Sequence, residues 1–477
     1  MAEIDQNLAF EPATVIGGLI KSKELSPVEI TKLYLERIEK LDSNLNSYLT
    51  VTADTALRAA QIAEDKVLNG DELGALHGIP ISIKDLQMTK GIRTTGGSLA
   101  YKDRIPEADC AVVERVLEAG AIMLGKTNSP EFGLLGANEN RLGDSCRNPW
   151  DVNRTSGGSS GGAGASIVAG LTSLATGGDG GGSIRIPASF NGIYGIKPTQ
   201  GRVSSFSGVP ASPLANYTSQ QGPLTRTVKD SALLLQVIAG YDSRDPGSLR
   251  SSVPDFLASV TRGISGLKIG WSPDYGYAAV DSEVLTITES AAKVFSELGC
   301  EVMESDLKLE GAFDTWFTLF AAGAYATQGH LLDDEEDPLT WYAKYAIEHG
   351  SNTTGVDYVK AVGERDRMIQ LFEDEFDKFD VILSPTMAVT AFPTDAYPET
   401  IGGQKPYPNP GWGFLPFTHP INTFGYTAAS VPCGFDSDGM PVGLHIVGRH
   451  GDEETVLAVS AAFEEARPWV QHRPLIS

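Results

Sequence analysis

Consecutive glycines precede a serine in Asp179-Gly180-Gly181-Gly182-Ser183-Ile184-Arg185-Ile186-Pro187. Such a run lets several backbone N–H groups converge on one point, which is how a tetrahedral oxyanion is held. Ser183 is then the attacking hydroxyl, with its own N–H in the hole beside those of Gly180, Gly181 and Gly182. The plainer alternative is a tight turn before a Pro-terminated segment, which explains the glycines but not the flanking Asp179 and Arg185. Lys84 ends the apolar run Ile81-Ser82-Ile83. An amine at the end of a buried strand is desolvated, which favours its neutral form and suits a general base. Taken alone, Lys84 reads more readily as one half of a salt bridge to a carboxylate.

Two further patterns carry rival chemistries. Gly157-Gly158-Ser159-Ser160-Gly161 satisfies the nucleophile-elbow pattern with Ser159, and the same pattern shifted by one with Ser160. An elbow needs a strand before it, and the polar stretch from Asn148 through Pro149 to Arg154 reads as a loop. Asp436 or Asp438 with His445 or His450 would complete such a triad on paper. Gly120-Ala121-Ile122-Met123-Leu124-Gly125-Lys126-Thr127 matches the phosphate-loop pattern and offers a nucleotide-binding alternative. Its intervening residues are apolar and strand-like, and Asn128-Ser129-Pro130 breaks the helix that a phosphate loop requires. The expectation is a buried strand ending in a polar turn.

Positioning these groups takes alternating helices and strands. Ser26-Pro27-Val28-Glu29 is a capping box with proline at the first helical position, and Leu33, Leu35, Ile38 and Leu41 continue an amphipathic helix. Helices are also predicted over 53–68, 110–119, 163–169, 227–241, 282–298 and 453–465. Strands are predicted at 78–84, 121–124, 171–176, 267–271, 300–304, 381–384, 430–433 and 442–447. Residues 156–183 hold eleven glycines and six serines, yet an apolar helix and strand pattern inside them is too ordered for a linker. The alternation predicts an α/β fold, a mixed β-sheet covered by helices on both faces, with residues 1–477 as one domain.

Composition narrows the partners. The 477 residues carry 37 Lys plus Arg against 61 Asp plus Glu, a net charge of −24. That balance argues against nucleic acid, which needs a basic face, and against an anionic membrane. No stretch is apolar and long enough to span a bilayer and the first residues lack a positive leader, so a cytoplasmic protein is expected. Cys110, Cys146, Cys300 and Cys433 lack the paired spacing of metal sites or disulfide frameworks. The carboxylate run 333–337 reads as a solvated loop, since adjacent residues cannot all face one ion.

Together these motifs resemble the amidase signature family. The resemblance rests on Gly78 to Asp85, Gly125 to Glu131, Gly157 to Gly162, Asp179 to Pro187 and Gly195 to Thr199, and it extends through Ser430 to Gly434 and Gly439 to Leu444. It implies Ser183 as nucleophile, Ser159, following a cis peptide, as bridging serine, and Lys84 as base, with no metal and no organic cofactor. Gly180, Gly181, Gly182 and Ser183 would hold the oxyanion, with Asp179 and Arg185 bracing the loop and Ser160 in the same network. The signature core would cover about 70–240, and a variable substrate-facing region about 305–420. The implied activity is hydrolysis of a small-molecule linear amide, extending to esters and carbamates; a homodimer is compatible with it.

Two departures bear on substrate. Many members read Gly-Thr-Asp-Thr-Gly-Gly-Ser where this chain has Gly177-Gly178-Asp179-Gly180-Gly181-Gly182-Ser183, a triple-glycine version similar to stand-alone amidases of aryl amides, short amides, nylon oligomers or carbamates. Ile186 replaces the Gln usual in the glutaminase subunit of the tRNA-dependent amidotransferase, which stands as the alternative. Aromatic residues concentrate at Phe313, Trp316, Phe317, Phe320, Tyr325, Trp341, Tyr342 and Tyr345, and again at Tyr407, Trp412, Phe414 and Phe417. Either segment fits a pocket wall or core.

Overall fold

Thirteen strands are seen in a computed structural model that describes residues 5–209, 218–394 and 396–477. They are β1 (Tyr48–Val51), β2 (Pro80–Lys84), β3 (Ile122–Thr127), β4 (Arg147–Asn148), β5 (Asp151–Thr155), β6 (Leu174–Asp179), β7 (Tyr194–Lys197), β8 (Gln220–Thr225), β9 (Lys268–Trp271), β10 (Glu301–Glu304), β11 (Val381–Pro385), β12 (Thr427–Phe435) and β13 (Pro441–Gly448). Eleven form one mixed sheet in the order β1-β3-β2-β6-β8-β7-β12-β13-β11-β9-β10, and β4 and β5 form a separate ribbon. The parallel neighbours β3, β2 and β6 lie on one side, and β11, β9 and β10 on the other.

Alternation along β2 decides what each face receives. Ile81 and Ile83 join a core with Val112, Val113, Leu235, Ile238, Val456 and Phe463, beneath the helices Ala111–Glu118, Val228–Ile238 and Glu453–Ala466. Ser82 and Lys84 point the other way. On that face the capping-box helix Pro27–Leu45, with both reciprocal bonds of Ser26 and Glu29 formed, and the helix Ala53–Asn69 cover β3. Over the second half of the sheet, the helices Ala312–Gln328, Trp341–Asn352 and Gly355–Phe376 build an aromatic core against Ile382, Ala428 and Val447. No helix among the described residues is long and apolar enough to cross a membrane.

Two local expectations are corrected. Asp151–Thr155 is a strand, not a loop, because its backbone pairs with Arg147 and Asn148 in the small ribbon. Pro187 does not end a segment: it sits in the first turn of a short helix, Arg185–Asn191, where a missing N–H costs nothing. The carboxylates at 333–337 are exposed.

Candidate active site

β2 delivers Lys84 into a fully buried chamber. Its Nζ lies 2.7 Å from Ser159 Oγ, 2.9 Å from Ser160 Oγ and 3.0 Å from the Gly178 carbonyl. Burial lowers the amine to about 7, against a smaller upward pull from Asp179. The two serines occupy the turn between β5 and the helix Gly161–Val168, and the Gly158–Ser159 peptide is cis. The Ser160 N–H donates to the Ser183 carbonyl at 3.1 Å, fastening this turn to the glycine loop. Lys84, Ser159, Ser160 and Ser183, separated in sequence, are thus brought together. Ser183 is 6% exposed, and its hydroxyl has no hydrogen-bond partner among the described residues, so a direct bond from Ser159 to Ser183 is not formed here.

The glycine loop is held by an ion pair at its base. Asp179, at the end of β6, accepts from Arg185 Nε and Nη2, both at 3.0 Å, with neither side chain exposed. Burial raises the Asp179 carboxyl, but Arg185, then the Lys197 charge and the Asn422 hydrogen bond, outweigh it and hold the group far below the ordinary carboxylate range. Arg185 also donates to Asn422 Oδ1 (2.5 Å), the Thr418 carbonyl (3.0 Å) and His445 Nε2 (2.9 Å). Burial and then the Arg185 charge keep His445 neutral. Its two ring nitrogens face Arg185 and Ser384 rather than Ser159, so the elbow arrangement with this histidine is not assembled. One expectation needs correcting. The Gly182 N–H, expected in the oxyanion hole, donates to Asp179 Oδ1 at 2.7 Å, because the carboxylate curls back under the loop. Ile184 N–H donates to Asp179 Oδ2 at 3.1 Å. The N–H groups of Gly180, Gly181 and Ser183 donate to no described residue.

Sequence reasoning missed what holds the loop from outside. Each of its carbonyls accepts a hydrogen bond: Asp179 O from Asn422 Nδ2 (2.7 Å), Gly180 O from Trp316 Nε1 (2.8 Å), Gly181 O from Thr418 Oγ1 (2.7 Å) and Gly182 O from Ile186 N–H (2.7 Å). Thr418 and Asn422 lie at the start and within the helix His419–Phe424, more than 200 residues away in sequence. No local spacing signals such contacts. Glycine is required where these groups approach: a Cβ on Gly182, whose φ is +129°, would meet Thr418, and one on Gly181 would meet the Trp316 ring.

Above Ser183 lies a narrow cleft, with a cavity volume of only ≈ 10 Å³, walled by Leu134, Leu135, Ile186, Trp316, Phe320, Trp412 and Leu415. None of its lining side chains is charged. Of the aromatic segments, then, Trp316, Phe320 and Trp412 reach the cleft. Phe313, Phe317, Tyr342, Phe414 and Phe417 are core, and Tyr325, Trp341, Tyr345 and Tyr407 are exposed. Lys126 of the phosphate-loop pattern is buried, with Nζ bonded to the Gln87 carbonyl and, at 2.6 Å, to Thr89 Oγ1. It ends a strand with no helix behind it, so nothing there can cradle a phosphate.

Residues 29–457 match the family model described as amidase. An acylamidase of Rhodococcus erythropolis is 34% identical over 98% of both chains. A glutamyl-tRNA(Gln) amidotransferase subunit of Geobacter sp. (strain M21) is 37% identical over 94% of this chain and 96% of that one. The crystal structure of a bacterial aryl acylamidase superimposes with a TM-score of 0.92 at 32% identity, covering 97% of each chain.

Proposed function

The chain belongs to the amidase signature family, whose members hydrolyse amide C–N bonds, and from that premise we propose that it is a free-standing amidase of small linear amides with apolar acyl groups. Ser183 is the nucleophile, Ser159 the bridging serine and Lys84 the base. The observation that carries the reading is the Lys84 amine: buried, 2.7 Å from the Ser159 hydroxyl, and lowered by that burial to about 7, so that a large share is neutral at pH 7. A neutral amine there accepts the Ser159 proton while Ser159 accepts that of Ser183, whose oxygen attacks the carbonyl. The N–H groups of Gly180, Gly181 and Ser183 receive the negative charge that develops on the carbonyl oxygen. The proton returns by the same path to the departing amine, and water then cleaves the acyl-enzyme. Esters and carbamates form the same intermediate and fall within the same chemistry.

The uncharged cleft favours this reading over a glutaminase subunit. Free glutamine carries an ammonium and a carboxylate, and burying both without partners costs several kcal/mol. Intact-mass measurement after fluorophosphonate treatment, with peptide mapping, tests the nucleophile: one label at Ser183 is expected. A label at Ser159 or Ser160 overturns the triad. Acyl anilides should then be hydrolysed far faster than glutamine, and the reverse preference would restore the subunit role.

A further inference from the structure

Trp316 has two engagements at once. Its indole lines the cleft over Ser183, and its Nε1–H donates to the Gly180 carbonyl at 2.8 Å. In a trans peptide the C=O and N–H point in opposite directions across a rigid plane. Fixing the Gly180 carbonyl therefore fixes where the Gly181 N–H points. Among the side chains that grip the loop carbonyls, Asn422 sets the Gly180 N–H and Thr418 the Gly182 N–H, which is already committed to Asp179. Neither Thr418 nor Asn422 lines the cleft. The indole is itself held, stacked on Phe320 at 4.8 Å and on His419 at 5.3 Å between ring centroids.

We propose that Trp316 is a positioning residue that aims the Gly181 N–H at the developing oxyanion and, because an acyl group must pack on the same indole, converts recognition of that group into turnover. The proposal rests on Ser183 being the nucleophile. A ligand seated against this held ring is seated against the group that orients the Gly180–Gly181 peptide, so its placement relative to the Gly181 N–H is fixed and the gain appears in the transition state, where the oxygen carries charge. Binding energy from a part of the substrate that does not react is then expressed in kcat. An ordinary pocket wall would express it in KM alone.

The test compares Trp316→Phe, which keeps a ring and removes the N–H, with Trp412→Phe, which alters another cleft wall that grips no loop carbonyl. Acetyl and benzoyl anilides serve as substrates, and an aryl boronic acid as the tetrahedral-anion mimic. Trp316→Phe should lower kcat about 10- to 100-fold, leave KM within about threefold, and weaken boronate inhibition by the same factor as kcat. It should also shrink the kcat advantage of benzoyl over acetyl. Trp412→Phe should act chiefly on KM. A Trp316→Phe enzyme with raised KM, unchanged kcat, and boronate affinity falling only in step with KM would overturn the proposal. If that variant does not fold, benzothienylalanine introduced at 316 removes the N–H with the ring system kept, and the same two outcomes decide. Failure of the underlying mechanism is distinguishable, since the unaltered enzyme would then bind neither boronate nor fluorophosphonate at Ser183.

Discussion

Lys84 and Lys126 lie at the ends of neighbouring parallel strands, both buried, and only one sits where a base is needed. Ile83 pairs with Lys126 and Lys84 with Thr127, so Lys126 shares the face of Ile83 while Lys84 takes the opposite one. Desolvation lowers both amines, Lys84 to about 7 and Lys126 to about 8. What separates them is the company. Lys84 meets two hydroxyls, which can give up a proton as readily as accept a hydrogen bond. Lys126 meets the Gln87 carbonyl and the Thr89 hydroxyl, whose proton is already donated to that same carbonyl at 3.1 Å, with the Asp85 carboxylate pulling the amine back towards the charged form. A depressed amine becomes a base only when its neighbour has a proton to give.

The comparison breaks most sharply if the two lysines are exchanged for methionine in turn. Lys84→Met, which keeps the length and removes the amine, should lower kcat/KM by about 10³-fold or more with the fold intact, as followed by circular dichroism. Retention of more than about a few per cent of activity would remove Lys84 from the role of base. Ser159→Ala, which keeps the amine and deletes its hydroxyl partner, should cost about 10²- to 10⁴-fold. The pH profile sharpens the contrast further. A base works unprotonated, so kcat/KM should fall as pH drops through about 7 and level off above it. Lys126→Met should retain that limb, because Lys126 is not its source, and its kcat/KM should stay within about threefold of the parent. Its loss should appear instead in urea unfolding, at about 1–3 kcal/mol for the two buried hydrogen bonds that Lys126 donates to the Gln87 carbonyl and the Thr89 hydroxyl. An acid limb that moved in Lys126→Met would make the two chambers one.

The elements were legible wherever a local rule decides them. The capping box at Ser26, the β-branched run ending at Lys84 and the alternation through residues 268–304 all return as the expected helices and strands. So does the buried helix inside the glycine-rich segment, Gly161–Val168. The three helices between Ala312 and Phe376 were not assigned, because their aromatic residues gave a compositional signal stronger than a periodic one. At the site, the glycine run and the lysine ending an apolar strand singled out Ser183 and Lys84 as candidates, while the bridging role of Ser159 came only from the family resemblance. The commitment of the Gly182 N–H to Asp179 and the grips of Trp316, Thr418 and Asn422 were invisible, since they depend on where the chain returns over long distances.

Those grips also have a consequence in time. Asp179 leaves the ribosome 243 residues before Asn422, the side chain that fastens its carbonyl. At about 5–20 residues per second the gap lasts about 10–50 s. Through that interval the nascent chain carries its serines and its lysine without a fastened loop, so the enzyme is armed only as its last strands are made.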